Sequence, residues 1–76
     1  MAGDTIFNVV DPADPVNTIM MFETITGISL NNEQKNKAES IVMKLPRTSC
    51  AHDFTKIAKE DESLLEFAKA VEEEYS

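Results

Sequence analysis

Apolar positions recur at helical spacing along most of this chain, and the pattern is cleanest near its end. In DESLLEFAKAVEEEY, residues 61–75, the side chains of Leu64, Phe67, Ala68, Val71 and Tyr75 form one stripe. Glu66, Lys69, Glu72 and Glu73 fill the other side. Ser63 and Glu66 have the Ser-x-x-Glu spacing of a capping box, and Asp61 is a second candidate cap. The spacing predicts a helix across 61–75.

Three more helices follow from the same reading. Asp14 as N-cap and Pro15 in the first helical position predict a start, and Gly27 is placed to end that helix at Thr26. Val16, Ile19, Met20, Met21, Phe22 and Ile25 cover most of its circumference, so burial on more than one side is expected. Asn31 and Gln34 have capping-box spacing ahead of a second helix, Asn32 to Leu45, which Pro46 stops. Its stripe is Ala38, Ile41, Val42 and Leu45. A short third helix is expected from Cys50 to Lys59, with Thr48 or Ser49 as cap and Phe54, Ile57 and Ala58 facing inward. The run Glu60-Asp61-Glu62-Ser63 predicts a break before the last helix.

The first residues differ in kind. Ile6, Phe7, Val9 and Val10 are apolar and mostly β-forming, which predicts a short strand or an extended arm. The fold class is therefore all-α: a small bundle of three or four short helices, residues 14–76, preceded by an extended arm, residues 1–13. The arm packs on its own helices, is exchanged with a second protomer, or adds to a partner as a strand.

Length and charge sharpen this picture. A domain of 76 residues has a small core, and with Cys50 as the one cysteine no intrachain disulfide can brace it. Oligomerisation, with a dimer favoured, is the expected remedy. The net charge of −7 is unevenly spread. Residues 1–34 carry five acids and no Lys or Arg; residues 35–59 carry six bases against two acids; residues 60–76 carry seven acids against Lys69. Direct nucleic-acid binding is disfavoured, because phosphate contacts need a dense cationic footprint. There is no apolar run long enough to cross a membrane and no signal-peptide pattern, so a cytoplasmic protein without a membrane role is expected.

Candidate chemistry is sparse. Cys50 and His52 are two residues apart, so on a helix they point in different directions. With Asp53 they offer at most three metal ligands in one short run. Gly3 and Gly27 are the only glycines, so no phosphate-cradling loop exists. No catalytic residue, metal site or cofactor is assigned. The expected function is that of a small acidic protein-binding module (an adaptor, inhibitor or regulatory factor) of a size that suits a bacterial or phage product. Its candidate contacts are Ile6, Phe7, Val9, Val10 and Met21 on the apolar side. On the acidic side they are Glu60, Asp61, Glu62, Glu66, Glu72, Glu73 and Glu74. Glu72 to Glu74 oppose the dipole of their own helix, which suggests a contact role. The alternative is an acidic mimic of nucleic acid that blocks a DNA- or RNA-binding protein, which needs these carboxylates to face one way.

Overall fold

A computed structural model describes residues 10–75, and among them the chain is an all-α bundle of four helices with no strand. These are α1 (Pro15–Thr26), α2 (Asn32–Lys44), α3 (Ala51–Ala58) and α4 (Leu65–Glu74), with a 3-10 turn, Glu62–Leu64, leading into α4. The expected arm contacts Ile6, Phe7 and Val9 lie outside the described residues.

The caps that delimit α1 and α2 are local and form as their spacing predicts. The Asn17 N–H donates to Asp14 Oδ1 at 3.3 Å, and Pro15 occupies the first turn where no N–H partner is needed. Gly27 closes α1 with φ 74°, its N–H donating to the Glu23 carbonyl at 2.8 Å. Three threonines sit in this helix despite their strand preference because their hydroxyls turn back onto it. Thr18, Thr24 and Thr26 donate to the carbonyls of Asp14, Met20 and Phe22 at 3.1, 2.9 and 2.7 Å. At α2 both halves of the Asn31–Gln34 box are made, at 2.8 and 3.0 Å.

The later boundaries differ from expectation. Neither Thr48 nor Ser49 caps α3. Cys50 takes the N-cap position, and Asp53 reaches back to accept its N–H at 2.9 Å. Ser49 is instead buried, and its carbonyl accepts the Val10 N–H at 3.0 Å. The break before α4 is present as expected, and of the two candidate caps it is Asp61, not the Ser63–Glu66 box, that makes it. Asp61 accepts from both the N–H and the hydroxyl of Ser63, at 3.0 and 2.7 Å, and so starts the 3-10 turn. A carboxylate one residue before the turn outcompetes a serine already inside it for the free N–H groups.

The core is an aromatic row that joins three helices. Phe22 of α1 lies 5.2 Å from Phe54 of α3, and Phe54 lies 6.2 Å edge-on to Phe67 of α4. Tyr75, just beyond α4, meets Phe22 at 6.0 Å, also edge-on. Ile19, Ala38, Val42, Leu64, Ala68 and Val71 complete the interior with Val10, which is 0 % exposed. Every helix thus spends its apolar stripe on one shared centre.

Two expectations about facing are corrected. Ile57 does not turn inward with Phe54 and Ala58; it is 41 % exposed, because α3 has only eight residues and its Phe54, Thr55 and Ala58 side meets the core. Nor is α1 covered all round: Val16 and Met20 are 52 % and 54 % exposed, one turn apart on its outer side.

Candidate functional site

The acidic residues separate by what they touch. Asp61 is held below its ordinary carboxylate value, first by the Ser63 hydroxyl and N–H, and it sits 3.7 Å from Lys37 Nζ. Glu72 is lowered chiefly by the Lys59 ammonium, which donates to its Oε2 at 2.6 Å. This pair ties α4 to the end of α3, so Glu72 has a structural partner that the helix-dipole argument did not foresee. Asp53 is lowered by the Cys50 N–H. Glu23 accepts the Leu30 N–H at 2.8 Å and anchors the loop after α1. These four acids have partners within the fold.

Glu60, Glu62, Glu66 and Glu74 are exposed, and among the described residues no cation lies within ion-pair distance of them. Glu73 is exposed as well. Helical geometry does not gather the α4 acids on one face. At about 100° per residue, Glu66 and Glu73 share a side with Lys69 between them, whereas Glu72 turns away toward Lys59.

Two of these acids border an apolar depression. A groove of about 370 Å³ runs between the loop after α1, the first turn of α2 and the start of α4. Leu30 and Phe67, both buried, form its floor; half-buried Ile28 and Leu65 form its walls; Glu62 and Glu66 stand at its edge. A long-range polar clamp borders the groove. Gln34, already engaged in capping α2, donates through Nε2 to the Ser63 carbonyl at 2.8 Å, while Lys37 Nζ reaches the Ser63 hydroxyl at 3.4 Å. Thus α2 fixes the position of the turn that carries Glu62 and aims Leu65.

Of the residues expected at a contact surface, the structure brings together Glu62 and Glu66 and adds Ile28 and Leu65, which the helical pattern did not single out. The signal was the doublet Leu64-Leu65: the core stripe takes Leu64, and the adjacent leucine is left over. Met21 is half-buried and packs against the core. Val10 is a core residue with no accessible side-chain surface, so it cannot serve as a contact in this arrangement. Among the described residues no group of three His, Cys, Asp or Glu could hold a metal ion, and no helix is long and apolar enough to cross a membrane. Cys50 is half-buried at the head of α3, and His52 is exposed in its first turn. No protein-family model, no curated protein and no solved structure matches the chain.

Proposed function

We propose that the chain is a small non-enzymatic protein-binding module whose contact surface is the groove between Ile28 and Leu65. The observation that carries this reading is the pairing of half-buried aliphatic walls with two carboxylates that have no counter-ion among the described residues. Asp53, Asp61 and Glu72 are engaged in caps or an ion pair; Glu62 and Glu66 are not, and they stand where apolar surface is still open. Such a patch favours a partner that covers the aliphatic side chains and neutralises the acids. A nucleic-acid mimic requires a continuous acidic face. Lys69 interrupts the stripe of Glu66 and Glu73, and Glu72 serves Lys59, which favours the groove over that reading.

The test is capture by crosslinking from the source cell, followed by comparison of variants. Replacing Ile28 and Leu65 together by Ser should leave far-UV circular dichroism unchanged and abolish capture of the partner. Retained capture by a folded double variant would refute the assignment of the groove.

A further inference from the structure

The groove also defines the chemistry of what enters it. We propose that its occupant is a cationic amphipathic helix of another protein, which seats one aliphatic side chain between Ile28 and Leu65 and sets Lys or Arg residues against Glu62 and Glu66. This inference rests on the groove being the contact surface. Three features support it.

First, the depression is small, about 370 Å³, with an apolar floor of Leu30 and Phe67. It suits an anchoring side chain of a helix lying across it and not a whole buried element. Second, Glu62 and Glu66 are four residues apart across the junction of the 3-10 turn and α4, a separation of roughly one helical turn. Cations one turn apart on a partner helix have the same spacing and flank an apolar residue on the same face. Third, Glu60 and Glu74, which like Glu62 and Glu66 have no cation at ion-pair distance among the described residues, add to the negative field that draws a basic partner.

A second copy of the chain fits less well. It carries the same net charge of −7. Its exposed large hydrophobic side chains with basic neighbours are Met43, beside Lys44, and Ile57, beside Lys56 and Lys59, of which Lys59 is already bonded to Glu72 at 2.6 Å.

The experiment uses the full chain, labelled with nitrogen-15, and a synthetic helical peptide of about four turns made of Leu and Lys, with Leu on one face. Two comparison peptides have the same composition in scrambled order, or Glu in place of Lys. The Lys peptide should shift, saturably, the amides of Ile28 and Leu30 and of residues 62–67. Glu62→Lys with Glu66→Lys should weaken it on the order of tenfold or more, as should Ile28→Ser, with circular dichroism confirming that each variant is folded. Equal binding of the scrambled peptide would reduce the effect to bulk charge attraction and overturn the proposal. Equal or tighter binding of the Glu peptide would overturn it too, as would shifts confined to the Val16 and Met20 side of α1. Self-association of the free chain that the Glu62 and Glu66 reversals abolish would make the occupant a second copy, against the proposal. If those reversals leave the captured partner bound while the Ile28 and Leu65 variant does not, the cationic occupant is wrong and the groove assignment stands.

Discussion

Truncating Phe54 to Ala removes the central ring of the aromatic row, and it sets the packing of α3 against the face its sequence suggests. Phe54 is 0 % exposed and touches Phe22 and Phe67 at ring separations of 5.2 and 6.2 Å. A buried Phe→Ala change costs about 3–5 kcal/mol, and the two ring contacts place this site toward the upper end. A single small core contributes a net stability of about 3–5 kcal/mol, so the variant should be largely unfolded at 25 °C. Ile57→Ala is the paired measurement. With 41 % of its surface already exposed, Ile57 loses much less on truncation, about 1 kcal/mol. Urea melts followed by circular dichroism read both effects. With a slope of about 1 kcal/mol per molar, Ile57→Ala should move the midpoint by about 1 M. Phe54→Leu, which keeps most of the volume but loses both ring contacts, should cost about 1–3 kcal/mol, less than Phe54→Ala. If Ile57→Ala proves as damaging as Phe54→Ala, then α3 is rotated from the position described or its outer face is covered, and the packing argument fails.

Two further predictions follow from local geometry and from charge. Gly27→Ala should destabilise by about 1–2 kcal/mol, read as a lowered melting temperature, because φ is 74° and, among the described residues beyond its chain neighbours, nothing lies within 4 Å of an added Cβ to raise a steric cost; Gly27→Asn should cost less, since Asn tolerates that conformation, and an equal loss would contradict a purely backbone origin. Acid should destabilise the fold, because Asp53, Asp61 and Glu72 have folded-state affinities for protons below their ordinary values of 3.8, 3.8 and 4.5. The unfolded chain takes up those protons first, so their stabilisation is complete above these values and is lost as pH falls through and below them. Thermal melts across this range should show the fall, and Lys59→Met should flatten the part due to Glu72; an unchanged acid limb in that variant would remove the pair from the account. At the other extreme, burial raises the Tyr75 phenol above 10.0, so its contribution is present below that pH and declines as pH rises past it.

The ends of α1 and the start of α2 were legible because their caps are made by residues a few positions apart; the equally local Cys50–Asp53 cap of α3 was missed because cysteine is not a typical cap residue. Asp14, Gly27 and the Asn31–Gln34 box could be read as a string because each donor and acceptor lies within one turn. Ser63 and Glu66 had the right spacing too, yet Asp61 took the donors, a competition between two local solutions that spacing alone does not rank. The acids of the last helix were legible as acids but not by role. Glu72 and Glu66 look alike in sequence; one meets Lys59 and the other stands at an apolar groove, because α3 approaches one side of α4 and the first turn of α2 approaches the other.

The sequence by itself determined that this chain is helical, where most of its helices begin and end, which residues make the aromatic core, and that its charge is concentrated at the ends. Those properties depend on period, propensity and neighbours within a turn. Tertiary structure alone decided that Ile57 faces out, that Val10 is core, and that Leu65 becomes the wall of a groove with Ile28. Each of these outcomes depends on which helix docks against which, and a contact between residues far apart in the chain leaves no periodic mark in either partner.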